Sequence, residues 1–98
     1  MDADFDKVQQ NARSVADILK VLAHETRLRV ICCIGDGEQT VLDMAEWLSV
    51  GQSCLSQHLA KMRNTGILEV RKEGNQCFYK VKDQRIMKVV EAMKDSLC

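Results

Sequence analysis

The chain has 98 residues, no proline, two Phe, one Tyr and one Trp among abundant Leu, Val, Ile, Ala and Met, and zero net charge. These features predict one mostly helical domain over residues 1–98, near the lower size at which a chain buries a sufficient core alone, and the apolar runs are too short to span a membrane. The acidic start, Met1 to Asp6, lacks the basic and then apolar pattern of a signal peptide, so a cytoplasmic location is expected, with the five cysteines reduced, reactive or metal-binding rather than a disulfide framework.

In chain order, Phe5, Val8, Ala12, Val15, Leu19 and Leu22 recur at spacings of three and four. This predicts a long first helix with one apolar stripe, widened by Ile18 and Val21. A second helix is expected over about Glu25 to Ile34, using Leu28, Ile31 and Ile34, and stopped by Gly35, Asp36 and Gly37. Thr40 reads as an N-cap with Asp43 in a capping-box-like position, opening a third helix over Val41 to Leu48. Ser49, Val50 and Gly51 make a tight turn into a fourth helix that begins at Gln52 and ends before Gly66. A short turn between two short helices is the helix-turn-helix pattern.

Leu68 to Glu73 and Gln76 to Lys82 then alternate in polarity about a Gly74-Asn75 turn, which predicts a β-hairpin. Cys77, Tyr79 and Val81 share one of its faces, and Phe78, Lys80 and Lys82 the other. The last helix, from about Gln84, carries Ile86, Val90, Met93 and Leu97. The expected fold is mostly α with a β-hairpin wing, a winged helix-turn-helix. Its first and last helices form the natural surface for a homodimer.

Charge is unevenly distributed along this plan. Residues 52–82 carry six basic groups against two acidic ones, whereas residues 24–51 carry two basic groups against five acidic ones. A positive reading helix and wing fit double-stranded operator DNA as the partner, although a solvated charged surface would look similar. On the fourth helix Leu55, Leu59 and Met62 share one face, with Ser53, Ser56, Gln57, Ala60, Arg63 and Asn64 opposite. Gln57 can pair with adenine and the serines with base or phosphate, while Lys61 and Arg63 can reach phosphates. His58 belongs to the same DNA-binding stretch but falls on the apolar side of the wheel, so a hydrogen-bonded structural role competes with DNA contact. Arg71, Lys72 and Asn75, with Gln76, sit where a wing meets the backbone or minor groove. A two-fold dimer would set two reading helices about one DNA turn apart.

Residues Leu22-Ala-His-Glu-Thr-Arg-Leu-Arg-Val30, Ser53-Cys-Leu-Ser-Gln-His-Leu59, Gly66-Ile-Leu68 and the basic wing with Tyr79 resemble the ArsR/SmtB family of bacterial winged-helix repressors over nearly the whole chain. Two departures are Glu25, where the family often has proline, and Gly51, where it often has serine; glycine is an acceptable N-cap. The family's metal sites do not carry over. Thr40-Val41-Leu42 replaces the third-helix Cys-x-Cys, and residues 83–98 contain no histidine. No metal and no cofactor are therefore expected.

What the resemblance does offer is thiol chemistry. Cys32 on the second helix and Cys98 at the end of the last are similar to the dithiol of the family's persulfide-responsive branch. That similarity implies a sensor pair: one thiolate attacks the sulfane sulfur of a persulfide and the second captures it. The resulting bridge would release operator DNA. Cys33 points away from Cys32 on a helix and reads as core, as do Cys54 and Cys77 in structural roles; any of these thiols can equally be plain apolar packing. A soft-metal or arsenite sensor using Cys32, Cys33 and Cys98 stays open, as does a regulator with no sensing chemistry. A thiol oxidoreductase is disfavoured, since the chain has neither a Cys-x-x-Cys nor a nucleophile–base constellation, and no enzyme activity is expected.

Overall fold

The computed structural model describes residues 2–97, without the side chains of residues 2–5, 8 and 97; the expected positions Phe5, Val8, Leu97 and Cys98 therefore lie outside the described side chains. The elements run α1 (Asp2–Leu22), α2 (Glu25–Ile34), β1 (Gln39–Thr40), α3 (Val41–Leu48), α4 (Gln52–Asn64), β2 (Leu68–Glu73), β3 (Gln76–Val81) and α5 (Gln84–Leu97). No helix among the described residues is long and apolar enough to cross a membrane.

Local chemistry sets the boundaries. His24, with extended backbone, caps α2: its Nδ1 accepts from the Thr26 amide at 3.1 Å. Gly35 ends that helix at φ +59°, a conformation that glycine adopts without steric penalty. Thr40 Oγ1 accepts from the Asp43 amide at 3.2 Å and starts α3 as expected. Ser49 closes α3 in the left-handed region at φ 55°, and the Val50 amide returns to the Ala45 carbonyl at 3.1 Å, giving the tight turn into α4. Gly51 precedes α4 with extended backbone and no side-chain cap.

The strands form an antiparallel sheet in the order β1-β3-β2, with Val70 opposite Tyr79 and Arg71 opposite Phe78. The hairpin turns at Gly74 and Asn75, Gly74 having φ +62°. Strand β1 was not among the expected elements. It pairs Gln39 with Tyr79 and Thr40 with Phe78, so the segment that starts α3 is also stitched to the wing.

The core lies where the helices converge above the sheet. Ile31, Met44, Leu55, Leu59, Met62 and Ile67 are fully enclosed there. Burying such side chains supplies the main drive for folding, roughly 1.5–3 kcal/mol each. On α5, Met87 and Val90 lie in the core, Ile86 is half-buried, and Met93 of the expected stripe stays exposed. On α1, Val21 and Leu22 are buried and Ile18 packs beside them, but Val15 and Leu19 are about half exposed. Together with exposed Val89 of α5 they leave an apolar surface along α1 and α5 that this chain does not cover.

Candidate nucleic-acid interface and thiol site

Helix α4 turns Leu55, Leu59 and Met62 inward, which forces Ser53, Ser56, Gln57, Ala60, Arg63 and Asn64 outward; all six are exposed. The outward face is small in side-chain volume and rich in donors and acceptors, suited to close approach to base edges. Lys61 is exposed on the flank toward α1, sharing a shallow cleft with Asp17, Lys20 and Arg27. Lys61 and Arg63 also occupy the last turn, where cations favour the helix dipole.

His58 turns away from that outward face. Its Nδ1 accepts from Arg27 Nε at 3.1 Å, and its ring lies 4.4 Å from that of His24. Burial, His24 and Arg27 all hold its pKa below the ordinary imidazole value. This geometry favours the hydrogen-bonded structural role expected for His58 over contact with DNA: the imidazole links α4 to α2. Arg27 also donates through Nη1 to the Val21 carbonyl at 3.0 Å, so it fastens α1, α2 and α4 together. Arg29 does similar work between α2 and α3, with Nη2 donating to the Leu48 carbonyl at 3.0 Å. These two guanidinium links lay hidden in the His24-to-Arg29 stretch, where sequence offered no sign of their partners.

The wing carries exposed Lys72 and Asn75, with exposed Lys80 on the returning strand and Lys82 just beyond its end. Arg71 does not stand free beside them. Its Nε and Nη2 donate to Glu38 at 3.1 and 3.2 Å, its Nη1 donates to Glu73 at 2.6 Å, and its guanidinium carbon lies 4.6 Å from the Phe78 ring centroid. Hydrogen bonding to Arg71 holds the Glu38 carboxyl below its usual range. Its charge is matched by two carboxylates within the protein, so contact with a DNA phosphate requires displacing Glu38 or Glu73.

The thiols divide by exposure. Cys32 and Cys54 are exposed, whereas Cys33 and Cys77 are half-buried. Burial pushes the Cys33 thiol up, with Asp43 and Cys32 adding to the effect, and Cys33 packs against the core. Cys32 faces the side of α2 on which α5 packs, sharing one cleft with Val90, Met93 and Lys94 and a second with Met87, Lys88 and Lys94. Its expected partner, Cys98, lies outside the described residues. Among the described residues no three His, Cys, Asp or Glu side chains converge on a metal-sized point.

Residues 24–70 match the family model described as bacterial regulatory protein, arsR family. The chain is 33% identical over 91 residues, 93% of its length and 80% of the relative's, to the biofilm growth-associated repressor of Xylella fastidiosa. It is 30% identical over 95 residues, 97% of its length and 88% of the relative's, to the transcriptional activator HlyU of Vibrio cholerae. The solved structure of reduced HlyU from Vibrio cholerae superposes with a TM-score of 0.85 at 32% identity, covering 94% of this chain and 97% of that one.

Proposed function

Since the chain belongs to the ArsR family of bacterial transcriptional regulators, not to an enzyme family, we propose that it acts as a homodimeric repressor that leaves its operator when persulfide modifies Cys32. In this reading α4 enters the major groove and presents Ser53, Ser56 and Gln57 to base edges, while Lys61, Arg63, Lys72 and Asn75 meet the backbone. The dimer forms through the uncovered apolar surface of α1 and α5, which sets the spacing of the two reading helices. A protein from Mycobacterium bovis of similar fold, at 22% identity, is a homodimeric winged helix-turn-helix DNA-binding domain.

The observation that carries the sensing reading is the contrast within α2: Cys32 is exposed beside α5, while its neighbour Cys33 is packed and its thiol pushed up. The thiolate of Cys32 attacks the terminal sulfur of a persulfide RS–SH. The S–S bond breaks, Cys32 becomes a persulfide and RS⁻ departs. The thiolate of Cys98 then attacks the cysteine sulfur of that persulfide, expelling hydrosulfide and leaving a disulfide. If Cys98 has itself been persulfidated, the terminal sulfur on Cys32 attacks the cysteine sulfur of Cys98, again expelling hydrosulfide and retaining one extra sulfur in the bridge. Either bridge ties α2 to α5 and biases the dimer toward the state that binds DNA poorly.

Peptide mass spectrometry after separate exposure of the reduced dimer to an organic persulfide, a disulfide and peroxide tests this, with operator binding followed in parallel. The expected result is a Cys32–Cys98 link formed with the persulfide, part of it carrying an extra sulfur that neither the disulfide nor peroxide introduces, together with loss of DNA binding. Scattered modification without that link, or a Cys32→Ser protein that still releases DNA, would overturn the sensing reading and leave the DNA-binding one standing.

A further inference from the structure

Cys32 forms part of the wall of a cleft of about 730 Å³, a size that suits a small organic ligand. Leu48 and Val90, both buried, make its floor; Trp47 and Met93, 66% and 48% exposed, stand over it. A tryptophan and a methionine left in water beside a reactive sulfur are unused apolar surface. Two cations, Arg29 and Lys94, complete the rim, and among the described residues no carboxylate lines the cleft. The cleft on the other side of Cys32 is different: Asp36 and Glu91 offset Lys88 and Lys94 there, so an anion has no preference for it.

We propose that the apolar cleft selects the sulfur donor, taking an organic persulfide whose carbon skeleton is aromatic or bulky alkyl and carries a carboxylate. The inference rests on the reading of Cys32 as the persulfide-reactive thiol. The skeleton stacks on Trp47 and Met93, and the carboxylate lies at Lys94 and the free edge of Arg29. The terminal sulfur is thereby delivered to Cys32 Sγ. The chemistry is the transfer already written, Cys32–S⁻ plus RS–SH giving Cys32–S–SH plus RS⁻, and the departing thiolate keeps the R group in the cleft until it takes a proton and leaves. Holding donor and nucleophile together raises the rate only for donors that fill the cleft.

The test compares two donors on the reduced dimer, the persulfides of 2-mercapto-3-phenylpropanoate and of mercaptoacetate, which share the reacting group and the carboxylate but differ in the benzyl group. At donor concentrations below saturation, Cys32 persulfidation read by mass spectrometry is expected to be about tenfold faster with the phenyl donor. Trp47→Ser, and independently Met93→Ser, bring the two rates to within about twofold without slowing the mercaptoacetate donor. In Cys32→Ser protein, 3-phenylpropanoate shifts the emission of Trp47, the single tryptophan, to shorter wavelength. Equal rates with both donors in the unmodified protein overturn the proposal while leaving the sensor reading intact. So does a Trp47 emission already blue-shifted in the free dimer and unmoved by 3-phenylpropanoate, which would assign the cleft to a second copy of the chain. No persulfidation of Cys32 by either donor overturns the sensor reading itself, and this proposal with it.

Discussion

Arg27 Nε donates to Nδ1 of His58 across 3.1 Å, joining α2, which carries Cys32, to α4, the proposed reading helix. Protonated His58 cannot accept that bond, and burial, His24 and Arg27 all disfavour its charge. The folded-state pKa is therefore below the unfolded value of about 6.5. As pH falls through 6.5 the unfolded chain binds a proton that the folded chain resists, so stability present above that pH declines until the native imidazole is itself protonated. Urea midpoints measured from pH 7.5 to pH 5 should fall, and His58→Asn, which keeps an acceptor but cannot titrate, should flatten that slope. An unchanged slope in the variant would remove His58 as its source.

The two helices of the reading motif start differently, and this predicts opposite responses to substitution. Thr40 caps α3 through its hydroxyl, so Thr40→Ala should cost about 1 kcal/mol and lower the melting temperature by about 4–8 °C. Gly51 has cap-like φ and ψ of −60° and 144° but offers no acceptor, and a Cβ there would meet nothing within 4 Å. Gly51→Ser should therefore raise stability by a few tenths of a kcal/mol. Thermal melts followed by circular dichroism measure both, and a destabilised Gly51→Ser protein would show that the hydroxyl fails to reach the helix amides.

Features set by neighbouring residues were legible in the sequence. The expected bounds of α2 and α3 match because Gly35, Thr40 and Ser49 act on their own flanks, and the wing turn matches because Gly74 and Asn75 fix it locally. What escaped depends on contacts between distant segments. Strand β1 is two residues long, too short for any periodicity, and exists because β3 pairs with it. On α5 the apolar residues wrap around more than one face, and only packing decides that Met87 and Val90 go inward while Val89 and Met93 remain outside. The commitments of His58 to Arg27 and of Arg71 to Glu38 were invisible for the same reason, since each partner lies more than thirty positions away. The polar face of α4 was readable because it is the complement of an apolar stripe on one helix.

Glu38 holds the guanidinium of Arg71 that a wing contact with DNA would use. Both side chains are solvent-accessible, and such exposed pairs add little to stability, so Glu38→Gln should leave the melting temperature nearly unchanged. Its effect should appear in operator binding. With Arg71 loosened to meet a phosphate in each wing, the dependence of log affinity on log salt should steepen by about two units for the dimer, whereas Lys72→Ala should reduce it by about the same amount. Anisotropy titrations across a salt series read both slopes. An unaltered slope in Glu38→Gln would mean that Arg71 braces the wing and never reaches the backbone.

Val15 and Leu19 of α1 and Val89 of α5 expose 51%, 47% and 52% of their surface and border one groove with Ile18 and Leu22. A protomer of this size gains from covering such a face, and a second copy supplies a matching one. Because none of the three side chains is buried within its own chain, Leu19→Glu and Val89→Glu should leave the helical circular dichroism spectrum intact while placing like charges in the dimer contact. Light scattering coupled to gel filtration should then report a monomer. A monomer carries one reading helix, and losing the tethered second one should weaken operator binding by about a hundredfold or more, since linkage of two sites typically contributes that factor. Trp47→Ser, on the separate cleft beside Cys32, should leave both the dimer and its DNA affinity unchanged. If instead the charged variants stay dimeric while Trp47→Ser dissociates, the two copies meet over the Cys32 cleft, and the α1–α5 surface is not the interface.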